Sequence, residues 1–397
     1  MASTLPSLPV QHNQFVDYVR SQPTTPMADL IKPYIEFDAV MRKKFAQEPL
    51  SQKYLLPLSA KDRKPNGSPA IVPTVEEFRK NFALFTEGCL SDIDWSNVVA
   101  AGSAVVTSLL PVPEQYRNSK RGLRKYYHDI FAPASDVDLF LYGLNEEQAI
   151  EKIKHIEDQI KNTILYETTT VRTKNTITIA SQYPNRHVQI VLRIYRSISE
   201  ILTGFDVDVS CAAFDGRQVY ASPRAIAAYI TQVNRIDLTR RSPSYENRLS
   251  KYSHRGFEVF WPGLDRSRID PRTFNRTVGL ARLLVLEKLP KSDDRDAYLS
   301  KRREERGRPA LNEYMRRRQG KELRGNIKDD WEDEVPEWQE QDQVSDYNTF
   351  TIPYGRNFNA KKIEKMLYTK DLLLNAQWNQ PKDREVYLHR HPAFFGE

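Results

Sequence analysis

Asp136-Val137-Asp138 opens an apolar run, Leu139-Phe140-Leu141-Tyr142. Side chains alternate along a strand, so Asp136 and Asp138 share one face while Val137 and Leu139 enter the core. Carboxylates that close repel each other, and a divalent cation that prefers hard oxygen ligands, Mg2+ or Mn2+, relieves the repulsion. The plainer alternative has Asp136 ending a turn and Asp138 facing water. A second acidic stretch, Gly204-Phe205-Asp206-Val207-Asp208-Val209-Ser210-Cys211, reads by the same alternation as a strand with Asp206 and Asp208 on one face. Two such strands side by side would gather four carboxylates. That arrangement suits a two-metal site, in which one ion activates a hydroxyl and the other neutralises a triphosphate and its leaving pyrophosphate. Upstream, Gly102-Ser103 lies between the apolar runs Val98-Val99-Ala100-Ala101 and Ala104-Val105-Val106. Backbone amides at a strand-to-helix turn bind phosphate oxygens, the glycine permits close approach and the serine adds a donor. A simple helix cap is the alternative there.

The surrounding pattern supplies elements to hold these residues. Thr74 and Glu77 have the spacing of a capping box for a helix over 75–86, and 98–101 reads as a short buried strand. Residues 138–142 form a second strand stopped by Gly143. A helix capped by Asn145 follows, with Ala149, Ile150, Ile153, Ile156 and Ile160 at helical spacing. Residues 176–180, 187–195 and 205–214 read as strands, with a helical turn at 199–202. After Pro223 the pattern turns helical, over 224–233, 245–254 and 277–288. The fold class is α+β, a mixed sheet flanked by helices with a helical C-terminal extension. Four parts are expected: a wrapping arm over 1–73, a core over 74–225, a helical and charged extension over 226–325, and a C-terminal segment over 326–397.

Composition limits the function classes. The 397 residues carry 59 Lys and Arg against 52 Asp and Glu, a net charge of +7. Because acids and bases are interspersed, this excess alone is thin support for a nucleic-acid partner. The chain contains no run of about 18 apolar residues and no secretory pattern at its start, which predicts no membrane span and an intracellular protein, cytoplasmic or nuclear. The two cysteines, Cys89 and Cys211, sit in apolar settings and read as core residues.

With these parts assembled, the sequence resembles the nucleotidyltransferase superfamily of the polymerase-β type across roughly 98–214. Gly102-Ser103, Asp136-Val137-Asp138 and Val207-Asp208-Val209 match its motif parts. More loosely, 135–143, 205–216 and Tyr387-Leu388-His389-Arg390-His391-Pro392 look like uncharacterised eukaryotic, often fungal, proteins of this fold. The resemblance implies a nucleotidyltransferase-like sheet and transfer of a nucleoside monophosphate from a nucleoside triphosphate, such as ATP, to a hydroxyl acceptor on RNA, protein or a small molecule. It makes Asp136, Asp138 and Asp208 the metal ligands, selecting Asp208 over Asp206, and gives the triphosphate to Gly102 and Ser103. Helices that follow the sheet in this fold commonly face the nucleotide, which makes Arg248 and Lys251 candidate contacts to triphosphate or base, with a plain surface helix as the alternative. The rival reading is a catalytically inactive module of the same fold that binds nucleic acid or protein.

The sequence departs from the family by a long insertion, 111–133, between the Gly-Ser pair and the first aspartate. Its Arg117, Lys120, Arg121, Arg124 and Lys125, with Tyr116, Tyr126 and Tyr127, could contact phosphates and stack on bases, or form a solvated helical hairpin. Ser91-Asp92-Ile93-Asp94 copies the local spelling of the metal strand but lacks the apolar run and reads as a turn or cap. His389 and His391 lack a third ligand and read as packing residues.

Overall fold

The computed structural model describes residues 62–64, 69–133, 135–172, 175–242, 245–261, 279–289 and 354–374, with a few isolated positions. Most of the wrapping arm expected over 1–73, including short helical patterns at 14–19 and 33–45, most of the strongly charged section 291–324, and the pair His389 and His391 lie outside the described residues.

The core is a seven-stranded mixed sheet of order β3-β4-β5-β2-β1-β6-β7. Helix α1, Val75–Phe85, begins at Thr74, whose hydroxyl accepts the Glu77 N–H. Strand β1, Val98–Ala101, is buried along its whole length, which fits its position inside the sheet. Gly102 then turns the chain into helix α2, Ser103–Leu109. The insertion forms helices α3, Glu114–Arg117, and α4, Lys120–Lys125, and a wide helical turn, Tyr126–Phe131. Strand β2, Val137–Tyr142, runs antiparallel to β1, and helix α5, Glu146–Thr163, starts in a reciprocal capping box between Asn145 and Gln148.

Strands β3, Thr169–Arg172, and β4, Thr176–Ala180, pair antiparallel, and β4 leads to β5, Val188–Tyr195, which runs parallel to β2. After helix α6, Ile198–Thr203, the chain does not enter the expected strand. A turn and a short 3-10 helix, Asp208–Ser210, precede β6, Ala212–Phe214, which pairs with β1 and with β7, Val219–Ala221. Helix α7, Pro223–Thr231, strand β8, Val233–Arg235, helix α8, Tyr245–Ser253, and strand β9, Glu258–Phe260, form the extension, followed by the short helix α9, Leu283–Leu286. Strands β8 and β9 form a separate parallel pair. Helix α10, Ala360–Leu374, packs beside β3, with Ile352, Phe358 and Ile363 buried against Val171 and Ala180. The predicted mixed sheet with flanking helices is therefore present.

The core is strongly aromatic where α1 meets the sheet. Phe78 and Phe82 pack edge-on to Phe214, with ring centroids 5.0 and 5.1 Å apart, and Trp95 meets the same ring. The insertion belongs to this body. Tyr126 and Tyr127 are buried, and Tyr116 and Phe131 stack on Tyr126 at 5.4 and 5.0 Å. Tyr126 and Tyr127 thus serve packing here, while α3 has no buried residue and α4 buries only Leu123.

Candidate functional site

Register fixes the neighbourhood of the paired aspartates. Asp138 on β2 lies opposite Gln189 on β5 and Ala101 on β1, and Ala101 lies opposite Ala213 on β6. Paired residues share a sheet face, so Thr178, Gln189, Asp138, Ala101 and Ala213 form one row across five strands. The two alanines leave room beside the carboxylate. Asp136 precedes β2 on the same face and accepts a hydrogen bond from Gln189 Nε2 at 2.9 Å.

Both aspartates are half-buried. Burial, the neighbouring Asp138 charge second, pushes the Asp136 carboxyl up to about 7, with Arg186 and Lys251 pulling the other way. Burial likewise raises Asp138 to about 6, partly offset by Lys251. These are carboxylates held where charge is costly.

The Gly102-Ser103 turn meets the same place. Gly102 has φ +79°, and a Cβ there would stand 2.8 Å from the Phe205 ring, so only glycine fits. Its N–H donates to Ala212 O at 3.0 Å, which ties the turn to β6. Lys251 Nζ donates to Ser103 Oγ at 2.8 Å, and Ser103 Oγ lies 3.4 Å from Ser135 Oγ. Helix α8 delivers that lysine because Tyr245, Leu249, Ser250 and Tyr252 anchor its other side in the core. One ammonium, two hydroxyls and two carboxylates thus converge from three parts of the chain.

Asp206, Asp208 and Arg248 are engaged with other protein groups. Arg248 grips Asp206 through Nε at 3.1 Å and Nη2 at 2.6 Å, and Ser242 Oγ donates to the same carboxylate at 2.6 Å. Asp208 accepts from Arg224 Nη1 at 3.1 Å and from the Arg235 N–H at 3.0 Å. The expected four-carboxylate face does not form, because 205–211 is not a strand and guanidiniums from α7 and α8 take both acids. Among the described residues, no group of three or more His, Cys, Asp or Glu side chains could hold one ion.

Arg186 and Gln189 have roles that the sequence reading missed. Arg186 is fully buried and donates to four carbonyls: Ala132 at 2.6 Å, Tyr127 at 2.8 Å, Ser135 at 3.1 Å and Phe85 at 3.3 Å. It staples the end of the insertion to the start of β2. Gln189 lies on 187–195, which reads as a strand from the sequence, but the sequence placed 205–211 beside Asp138 and only the observed register puts Gln189 there. Arg186 had no comparable signal, since its partners lie 51 to 101 residues away. Within the insertion, Arg124 pairs with Glu87 at 2.5 Å and Arg117 donates to Val112 O at 2.7 Å, whereas Lys120, Arg121 and Lys125 are exposed.

No helix among the described residues is long and apolar enough to cross a membrane. Residues 76–232 match the profile of the Gabija anti-defense 2 family. The matched stretch contains β1 to α7 and the paired aspartates, and it ends before Lys251. The chain is also 32% identical over 224 residues to an uncharacterized protein of Acanthamoeba polyphaga mimivirus, an alignment covering 53% of this chain and 45% of the viral protein. The chain thus spans about half the length of that relative.

Proposed function

We propose that the site on β2, α2 and α8 binds a nucleoside triphosphate with a divalent cation and transfers its nucleoside monophosphate to a hydroxyl acceptor. The observation that carries this reading is the convergence of Lys251 on Ser103 beside Asp136 and Asp138. Two half-buried carboxylates whose ionised forms are disfavoured fit Mg2+ or Mn2+, and both would ligate it. The bound ion would offset triphosphate charge and favour loss of the acceptor hydroxyl's proton. Lys251 and the Ser103 and Ser135 hydroxyls would hold phosphate oxygens, while Gly102 lets the backbone approach them. The β1-β2 pairing keeps these groups in line, and positioning of this kind supplies much of the rate in phosphoryl-type transfer. Asp206, Asp208 and Arg248 are assigned to scaffolding, since each is already engaged with a protein partner.

A second reading, a module that binds a nucleotide without transferring it, draws support from Gln189, an amide beside Asp138 where a further carboxylate would assist chemistry. The match to an anti-defense family suggests the setting for either activity, interference with an antiviral defence. Incubation with each α-labelled nucleoside triphosphate and Mg2+ or Mn2+, offered RNA ends, host proteins and small hydroxyl compounds, decides between the two. Label transferred by the wild-type chain and lost in Asp136→Asn supports transfer. Nucleotide retained by the wild type without transfer supports the module. Cells bearing the Gabija defence test the setting: the wild-type chain should restore phage growth and Asp136→Asn should not.

A further inference from the structure

The row across the sheet limits how many cations the site can hold. Two divalent ions in one site stand roughly 3.5–4 Å apart and share bridging oxygens, and each also needs oxygens of its own. Asp136 and Asp138 can bridge, so a second ion requires further anionic oxygen at their flank. Asp138 has two in-register neighbours, and neither supplies one: Ala101 on β1 has only a methyl group, and Gln189 on β5 is a neutral amide. Gln189 Nε2 donates to Asp136 Oδ2 at 2.9 Å, so an N–H occupies the oxygen edge that a flanking ion would use. On the opposite flank Lys251 brings a positive charge to Ser103, which disfavours another cation there. The two acids that could have served, Asp206 and Asp208, are bound to Arg248 and Arg224.

We infer that this is a one-cation site, and that Gln189 is the residue that sets the count. The inference rests on the proposed function only in taking Asp136 and Asp138 as cation ligands. In this reading Gln189 orients Asp136 towards the single ion.

The count is measured directly by Mn2+ binding to the full chain, by equilibrium dialysis and electron paramagnetic resonance, with inorganic triphosphate as a base-independent probe. The wild type should bind one Mn2+ per chain with the six-line spectrum of an isolated ion. Gln189→Asp should bind two, with the broadened spectrum of coupled ions. Circular dichroism and thermal melting confirm that the variant is folded; if it is not, the wild-type count and spectrum decide alone. Two coupled ions on the wild type would overturn the inference, as would a folded Gln189→Asp that still binds one. Either result leaves Asp136 and Asp138 as ligands. Absence of Mn2+ binding by the wild type, or binding that persists in Asp136→Asn and Asp138→Asn, would instead overturn the cation site itself, and the one-cation inference with it.

Discussion

Asp136 and Asp138 give this protein's stability a predictable pH dependence. In the unfolded chain each releases its proton near pH 3.9. In the folded chain burial holds the Asp138 proton to about 6 and, with the Asp138 charge beside it, the Asp136 proton to about 7. Between these limits the folded state binds more protons than the unfolded one, so the pair's contribution to stability falls as pH rises from roughly 4 to 7 and stays low above. Asp136→Asn should therefore melt higher than the wild type, by a margin that widens over that window. Mg2+ or Mn2+ added at about pH 7.5 should raise the wild-type Tm and leave the variant's unchanged; parallel melting curves at every pH would show that the carboxylates are not under this strain. Lys251 invites a separate measurement. A charge-assisted hydrogen bond contributes about 1.5–3 kcal/mol, so Lys251→Met should weaken triphosphate binding by roughly 10- to 100-fold in calorimetric titration. Its Mn2+ affinity without triphosphate should stay level or rise, because a positive charge leaves the site.

At the scale of elements, the strands that build the site were legible and the contacts that place its acids were not. Strands β1 and β2 are apolar runs closed by Gly102 and Gly143, and α5 carries its Asn145 cap, so local pattern suffices for them. Residues 205–211 alternate like a strand, yet their conformation is settled by Arg224 and Arg248, which lie 16 and 42 residues from their partners Asp208 and Asp206. Strands β7, β8 and β9 have three residues each, too few to show a period of two. The tyrosines of the insertion looked available for bases because nothing local reveals that Tyr126 and Tyr127 are buried. Asp208→Ala should accordingly act through stability. It leaves the Arg224 guanidinium without its carboxylate at a site where both side chains are largely buried, a loss of about 3–5 kcal/mol in chemical denaturation. Mn2+ binding at temperatures where the variant remains folded should equal the wild type's; a lost ion would make Asp208 a ligand after all.

At the scale of the whole molecule, a distant segment supports the site. Tyr354, ahead of α10, lays its ring 5.1 Å from the Arg186 guanidinium and 5.4 Å from His187, and its hydroxyl donates to Pro184 O at 2.9 Å. That hydroxyl has one proton, so the His128 Nδ1 that meets it at 2.9 Å supplies the hydrogen for the second bond. Phe85 also packs its ring on the Arg186 guanidinium, 4.5 Å away, and Arg186 in turn holds the carbonyls of Ala132 and Ser135 shortly before Asp136. The C-terminal segment is thereby linked through one buried cation to the start of β2. Tyr354→Ala should lower stability by about 3–5 kcal/mol, as removal of a large buried aromatic does. If the Arg186 staple positions Asp136, the same variant should also weaken Mn2+ binding several-fold, although Tyr354 supplies no ligand. Tyr354→Phe keeps the ring over Arg186 and gives up only the hydroxyl, so it should lose about 1–2 kcal/mol while holding Mn2+ as tightly as the wild type. Equal Mn2+ affinity in all three proteins would show that pairing with β1 and β5 alone fixes the carboxylates and that the C-terminal segment contributes stability only.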